Sequence, residues 1–247
     1  IVRASALAQL RLYLGAATLP AIEAGAGDPD PMVRGAAMDA LLPAPPQERV
    51  RIAAGLIDDP SRLVRIKAAR ALAIAPNDGM APSMRARVDK IFAEYVASQR
   101  ANADRPEAHL NLGLFYSDRR DPVAAESSYR AAIALAPDFT PAYLNLADLY
   151  RTYSREADAE ASLAAGLLQA PGNADLLHAQ GLLRVRQGRM SEALPLFAQA
   201  AMAAPDNLRY AYVHAIALHD AGQVPAAITE LERALARHPD SPELLVG

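Results

Sequence analysis

The chain has 247 residues, of which 52% are apolar and 21% charged, which excludes an intrinsically disordered protein, and its many Ala and Leu residues favour packed helices over sheets. The formal net charge of −3 divides into +3 over residues 1–100 and −6 over residues 101–247, so neither part is basic enough to predict nucleic-acid binding. Cysteine is absent, which excludes disulfides, thiolate metal sites and covalent haem attachment within the sequence. No apolar run reaches the ~18 residues of a membrane span, so no membrane insertion is predicted.

A short repeat with constant spacing occupies the amino-terminal part. The sequences VRASALAQL, VRGAAMDAL and VRIKAARAL begin at Val2, Val33 and Val64, and Asp-Pro precedes the last two, at Asp28 and Asp59. An aspartate just before a helix can accept hydrogen bonds from the free amides of the first turn, so we predict a capped amphipathic helix in each copy. The predicted apolar stripes are Val33, Ala37, Met38, Leu41 and Val64, Ala68, Ala69, Leu72.

This pattern resembles the short HEAT-like repeats of bacterial proteins, to which we assign residues 1–78. Partner helices are predicted at 19–26 and 48–58. The first copy lacks the Asp-Pro that its register places just before Ile1. We therefore expect the chain to be part of a longer polypeptide, and a naturally irregular first repeat is the alternative.

A connecting segment is predicted at 79–104. The sequence NDGMAPS at 77–83 interrupts the repeats, and residues 84–101 read as one long helix. Its apolar face carries Met84, Val88, Ile91 and Tyr95. We expect this helix to pack the first array against the second.

A stronger repeat follows, marked by the evenly spaced prolines Pro137, Pro171, Pro205 and Pro239. It resembles the 34-residue tetratricopeptide (TPR) pattern, with His109, Gln180 and His214 at places where the family has other residues. The first copy, for example, has Leu112, Gly113, Tyr116, Ala125, Tyr129, Ala132 and Pro137. The resemblance implies an all-α solenoid over 105–241, with units at 106–139, 140–173, 174–207 and 208–241, and the start of a capping helix at 242–247.

The turns between paired helices support this register. Gly188 and Gly222 lie at equivalent places, where a left-handed residue ends the first helix. Ser154 and Arg120 occupy the same place in the other two units, so we expect left-handed backbone there too.

No motif for catalysis or phosphate binding occurs in the sequence, so we predict neither an enzyme nor a cofactor. His178 and His219 lie in neighbouring units, but a zinc site would need further ligands that the spacing does not supply, and no metal site is predicted. His109 and His214 are expected to be buried and neutral.

A partner-binding surface is predicted instead, because the first helix of each TPR unit lines the concave groove of such solenoids. The TPR register places an unusually apolar set of residues there, which favours a protein or peptide partner. Some of the leucines are alternatively expected to pack between units. The predicted groove residues are Leu110, Asn111, Leu114, Leu144, Asn145, Asp148, Arg151, His178, Leu182, Val185, Arg186, Tyr212, Ile216 and His219.

Two known binding modes of TPR proteins are tested against these residues. The clamp that holds a terminal carboxylate needs cations where this chain has Glu107, Leu110, Asp175 and His178, so it is excluded. Asn111 and Asn145 occupy the same place in consecutive units and are similar to the asparagine ladder of O-linked glycosyltransferase TPRs, which implies contacts with a peptide backbone. A hydrogen bond to a neighbouring repeat is the alternative.

The order of the two arrays, with RPEAHLNLGLFY and NLRYAYVHAIALHDAGQ in the second, is similar to the carboxyl-terminal half of bacterial multihaem cytochrome proteins. This resemblance implies a periplasmic location and a haem domain upstream of Ile1, which the groove would contact. Our interpretation is a non-catalytic scaffold that binds a protein or peptide. The alternatives are an accessory region of such a redox protein and a module for self-association.

Overall fold

The computed structural model describes residues 1–13, 15, 17–76 and 80–238, and these residues are all helix, turn or loop, without a strand. Two compact units divide the chain: unit 1, Ile1–Ser128, and unit 2, Tyr129–Gly247. The division falls within one helix, α8. The α-helices are α1 Val2–Leu10, α2 Leu19–Ala26, α3 Pro31–Leu41, α4 Pro46–Ala53, α5 Arg62–Leu72, α6 Pro82–Arg100, α7 Pro106–Asp118, α8 Pro122–Leu135, α9 Thr140–Thr152, α10 Glu156–Gln169, α11 Ala174–Arg186, α12 Met190–Ala203, α13 Leu208–Asp220 and α14 Val224–Arg237, and two 3₁₀-helices span Arg11–Tyr13 and Ala54–Leu56.

The core of unit 1 contains the two predicted apolar stripes. Every residue of the stripes on α3 and α5 is buried, from Val33 to Leu72, which confirms the predicted faces of these helices. The partner helix predicted at 19–26 is α2, and the one predicted at 48–58 corresponds to α4 and the following 3₁₀-helix, which together span 46–56. Helical spacing of small and branched residues therefore places the core correctly.

The two predicted capping aspartates have another role. Asp30 caps α3 by accepting a hydrogen bond from the Met32 amide at 2.9 Å, whereas Asp28 accepts one from the Asp30 amide. Asp59 likewise accepts from the Ser61 amide, which lies before α5. The prediction that Asp28 and Asp59 cap the helices was wrong, because each lies two residues before the N-cap and orders the loop instead.

The long helix α6 confirms the prediction for 84–101. Val88, Ile91 and Tyr95 are buried, and Met84 is half-buried against the same core. The ring of Phe115 on α7 joins this core, stacked on Tyr95 with 4.9 Å between ring centroids. The first helix of the predicted TPR array thus shares its packing with the amino-terminal helices.

The 34-residue period is visible in the helix starts. The first helices of the predicted units begin at residues 106, 140, 174 and 208, and the second helices at 122, 156, 190 and 224. Within unit 2, buried small residues such as Gly166, Ala193 and Ala200 occupy the contacts between helices. Small side chains at these contacts let the helix axes approach closely.

The predicted left-handed turns are confirmed. Gly188 and Gly222 have φ of 72° and 77°, and Arg120 and Ser154 have φ of 58° and 57°. The two non-glycine residues adopt a conformation that disfavours a Cβ atom, because the hydrogen bonds that end each helix fix the turn.

Some predictions fall on other residues. Pro239, the helix start at 242–247 and residues 77–79 of the predicted break lie outside the described residues. Among the helices that are described, none is long and apolar enough to cross a bilayer.

Candidate functional site

An open pocket in unit 2 brings together five of the predicted groove residues. Its volume is about 240 Å³, and its walls come from the first helices of two adjacent repeats, α9 and α11, with a floor from α10. The lining residues are Leu144, Ala147, Asp148, Arg151, Ala159, Leu163, Ala179, Leu182, Leu183 and Arg186. We call this site the unit 2 pocket.

The helical period explains how these side chains converge. Leu144, Asp148 and Arg151 lie four and three residues apart on α9, and Leu182 and Arg186 lie four apart on α11, so each set forms one stripe. The two leucines are half-buried at the apolar centre, and the charged residues lie one turn further along. The site combines a small apolar depression with a charged edge.

The two arginines at this edge differ in whether they are ion-paired. Arg151 donates from Nε and Nη2 to Oδ1 of Asp148, at 3.0 and 2.5 Å, so these two charges compensate each other. Arg186 is exposed and makes no ion pair with any residue that the structure describes. One cation of the pocket is therefore free to bind an anionic group.

His178 was predicted to face the groove, and this prediction was wrong. Only 6% of the residue is exposed, and its ring lies between those of Phe197 and Tyr210, with centroids 5.7 and 4.9 Å away. Neither ring nitrogen has a hydrogen-bond partner. Burial lowers the pKa of His178, an effect that the charge of Arg209 increases and that of Asp175 opposes. Two aromatic neighbours from the following helices close over this position, which the register alone could not reveal.

The other predicted groove residues of unit 2 lie outside the pocket. Asn145 is half-buried and donates from Nδ2 to the Pro141 carbonyl of its own helix at 2.8 Å. His219 is exposed beside Asp220, with 3.3 Å between Nδ1 and Oδ1. Val185, Tyr212 and Ile216 are exposed apolar residues.

The two remaining predictions for histidines need correction. His109 is only half-buried, and its Nε2 lies 2.9 Å from the carbonyl oxygen of Ala103. His214 is also half-buried, with Nδ1 3.6 Å from Oε1 of Glu230. Both residues are thus more exposed than His178, which was predicted to face the groove. The described part of the chain contains no group of three or more His, Asp or Glu residues arranged for a metal ion.

Unit 1 contains a second pocket that includes two of its three predicted groove residues. Asn111 is exposed and Leu114 half-buried in the wall of this pocket, whose volume is about 360 Å³, whereas Leu110 is half-buried outside it. The other walls come from α3, the residue that follows it, α5 and α6, which sequence reasoning did not connect with binding. The lining residues are Asp39, Leu42, Leu63, Ile66, Lys67, Arg70, Tyr95, Gln99, Asn111 and Leu114. We call this site the unit 1 pocket.

The sequence contained a partial signal for the unit 1 pocket. Leu63, Ile66, Lys67 and Arg70 follow helical spacing on α5, and they form a stripe distinct from the buried one. Such a stripe could have been identified as a second face of α5. Its position opposite α7 depends on packing between helices that are far apart in sequence.

Comparison with protein-family models identifies TPR repeats. A model for a tetratricopeptide repeat matches residues 184–245, and another model with the same description matches residues 108–141. The comparisons give no support to the HEAT-like interpretation of residues 1–78 or to the resemblance to multihaem cytochromes. A search among curated proteins finds no match.

Solved structures are similar to this chain in fold. A crystal structure of MamA has a TM-score of 0.50 at 20% identity, over 65% of this chain and 96% of that chain. TTC0263, a thermophilic TPR protein of Thermus thermophilus, has a TM-score of 0.44 at 22% identity, over 70% and 99% of the respective chains. YrrB, a TPR protein with an unusual peptide-binding site, has a TM-score of 0.46 at 15% identity, over 77% and 94%. The likeness to MamA shows the helical-repeat fold and nothing about the partner.

Proposed function

We propose that this chain is a non-catalytic scaffold that binds a protein partner through the unit 2 pocket. The observation that carries the proposal is the apolar depression between Leu144 and Leu182, which opens to solvent on the first helices of two adjacent TPR repeats. Apolar side chains that converge in an open depression favour a binding site, because burying them against a partner removes their surface from water.

The chemistry of the lining supports binding and not catalysis. The pocket contains no serine, threonine, tyrosine or histidine, and its one carboxylate, Asp148, is paired with Arg151. A nucleophile with an adjacent general base, the minimum for acyl transfer, is therefore absent from this lining. What the site offers is an apolar anchor point beside the free charge of Arg186.

The partner that fits this arrangement is a segment that inserts one apolar side chain between Leu144 and Leu182. A volume of about 240 Å³ is smaller than most sites for drug-sized ligands. It suits a side chain of a larger partner whose remaining contacts spread over the rim. We assign Val185, Tyr212 and Ile216 to that rim, since they are exposed apolar residues on α11 and α13.

The test is affinity capture with the unaltered chain, with Leu144→Glu/Leu182→Glu and with Arg186→Glu. The double variant places two carboxylates in the apolar depression and should lose the partner, and Arg186→Glu should weaken its retention. Leu168→Glu is the matched control, because Leu168 lies on α10 outside the pocket and is 80% exposed.

Circular dichroism of each variant establishes that the helices persist. The proposal is supported by proteins that the unaltered chain and Leu168→Glu retain, that Leu144→Glu/Leu182→Glu loses and that Arg186→Glu retains more weakly. Retention of the same proteins by every variant contradicts it. Failure to retain any protein contradicts it as well.

A further inference from the structure

We propose that the unit 1 pocket is a second peptide-binding site, which binds an extended segment that carries one Asp or Glu side chain between two apolar ones. The site lies where α3 and α5 of the amino-terminal array face α6 and α7. It shares no residue with the unit 2 pocket and does not depend on the function proposed for that pocket.

The apolar part of the unit 1 pocket has two sides. Leu42, Leu63 and Ile66 line the side formed by α3 and α5, and Leu114 lies on α7. Leu63 is exposed, and the other three are half-buried. A volume of about 360 Å³ lies at the lower end of the range for ligand sites, so it accommodates a few side chains of a peptide.

Two carboxamides are positioned to hydrogen-bond a peptide backbone. Asn111 donates from Nδ2 to Oε1 of Gln99 at 3.2 Å, and the Tyr95 hydroxyl donates to the main-chain carbonyl of Asn111 at 3.2 Å. The bond between the carboxamides orients the two side chains and leaves Oδ1 of Asn111 and Nε2 of Gln99 without a partner among the described residues. One acceptor and one donor match the N–H and C=O groups of an extended peptide.

The charges around Arg70 are not balanced. Arg70 donates to Oδ2 of Asp118 at 2.5 Å, and Arg49 approaches the same oxygen at 3.4 Å, so two guanidinium groups share one carboxylate. The side chain of Arg49 is only 9% exposed, and its Nε has no hydrogen-bond partner. Lys67 is already paired with Asp39. One positive charge therefore remains uncompensated.

A carboxylate of the bound peptide would balance this charge. Arg70 both lines the pocket and bonds Asp118, so it connects the ligand space with the unbalanced cluster. A second carboxylate beside Arg70 gives the two arginines two anionic partners. A carboxylate adds the Coulomb attraction of a full negative charge to the guanidinium groups, which a neutral amide lacks, so an acidic side chain should bind better than its amide.

The experiment compares two probes, the capped peptides Ser-Leu-Glu-Leu-Ser and Ser-Leu-Gln-Leu-Ser, in titrations of the ¹⁵N-labelled full chain followed by NMR. We expect the Glu peptide to shift amide signals of α5, α6 and α7 around Gln99 and Asn111. Its Kd should be lower than that of the Gln peptide by about tenfold. The preference should decline as salt is raised, because salt screens charges.

Variants assign the preference to the named residues. Arg70→Gln should abolish the preference for the Glu peptide. Gln99→Ala should weaken the binding of both peptides but leave the preference for the Glu peptide unchanged. Arg87→Gln is the matched control, because Arg87 is an ion-paired arginine of α6 outside the pocket. Gln99→Ala breaks no ion pair, so it tests the site even where Arg70→Gln reduces stability.

Equal affinities for the two peptides would overturn the proposal, as would signal shifts confined to unit 2. An effect of Arg87→Gln as large as that of Arg70→Gln would also overturn it. Leu144→Glu/Leu182→Glu should bind the Glu peptide as the unaltered chain does. That result separates a failure of this site from a failure of the function proposed for the unit 2 pocket.

Discussion

Arg34 holds Asp59 in the following repeat, donating from Nε and Nη2 to the two carboxylate oxygens at 2.7 and 2.9 Å. Its Nη1 also donates to the carbonyls of Asp28 and Pro29, at 2.8 and 2.9 Å. Arg65 makes the same type of contacts one repeat later. Each arginine thus ties the loop before its own helix to the next part of the array, which explains why Val-Arg and Asp-Pro recur together.

Replacing Arg34 with Met should destabilise unit 1 strongly. The side chains of Arg34 and Asp59 are 13% and 4% exposed, so the substitution leaves a carboxylate that is largely removed from water without its cation. Removing one partner of such a pair costs far more than removing one partner of an exposed pair, because the remaining charge is uncompensated. Urea denaturation of the variant measures the change.

Arg3→Met is the control for this prediction. Arg3 is paired with Asp28 by one hydrogen bond, from Nη2 to Oδ1 at 3.2 Å, and its side chain is 66% exposed. An exposed pair contributes about 0–1 kcal/mol, so the loss in Arg34→Met should be several times larger. Similar losses in the two variants would show that burial does not determine the strength of these pairs.

Ser154→Gly should stabilise unit 2. Ser154 has φ of 57°, where a Cβ atom is unfavourable, and glycine occupies the equivalent turn at Gly188. We expect a gain of about 0.5–1 kcal/mol after the greater flexibility of unfolded glycine is subtracted. The urea midpoint should rise, and Gly188→Ala should lower it. Opposite shifts would contradict the assignment of strain to these turns.

Gly181→Ala should destabilise the contact between α11 and α12. A Cβ at this position would lie 2.5 Å from Cε1 of Phe197, whose ring is fully buried. Overpacking of this kind costs about 1–3 kcal/mol. Phe197→Leu should restore part of the loss in the double variant. Gly172→Ala is the control, because its Cβ meets no atom within 4 Å.

The stability of unit 2 should fall in mild acid because of His178. Its folded-state pKa lies below the ordinary value of 6.5, so the unfolded chain binds the proton more readily. Above pH 6.5 the ring is mostly neutral in both the folded and the unfolded chain, so this histidine costs no stability. As the pH falls below 6.5 towards the folded-state pKa, the unfolded chain takes up the proton first and stability is lost. The slope is at most about 1.4 kcal/mol per pH unit.

Urea unfolding of the chain and of His178→Met, between about pH 8 and pH 5, measures this effect. Methionine needs no hydrogen bond at this position, so the variant should lose that part of the pH dependence. His219→Gln, at an exposed position, should retain it. Identical pH profiles for the chain and His178→Met would refute the prediction.

The sequence predicts the helices and the buried faces well, because both depend on local spacing. The period of the second array anticipates the helix pairs, and the turns at Arg120 and Ser154 follow from equivalence with Gly188 and Gly222. The candidate site is only partly predictable from the sequence. The part that follows from the register is the convergence of Leu144 and Leu182 in the unit 2 pocket.

Features that depend on long-range packing were missed. His178 is covered by rings from two later helices, and the unit 1 pocket joins α5 to α7. The pairing of Arg34 with Asp59 had a signal in the sequence, since Val-Arg and Asp-Pro recur with the same spacing. Recurrence indicates that two residues are linked but does not tell which atoms meet.

The uninterrupted period of the helix starts has a consequence for how such a gene can change. From α7 to α14, each helix begins at the same place in its repeat as its equivalents do, without insertion. An in-frame duplication or loss of one period would therefore leave each remaining helix in phase with the next. Recombination between neighbouring repeats could lengthen or shorten the array in single steps, and selection would then act on the number of binding positions more readily than on the fold.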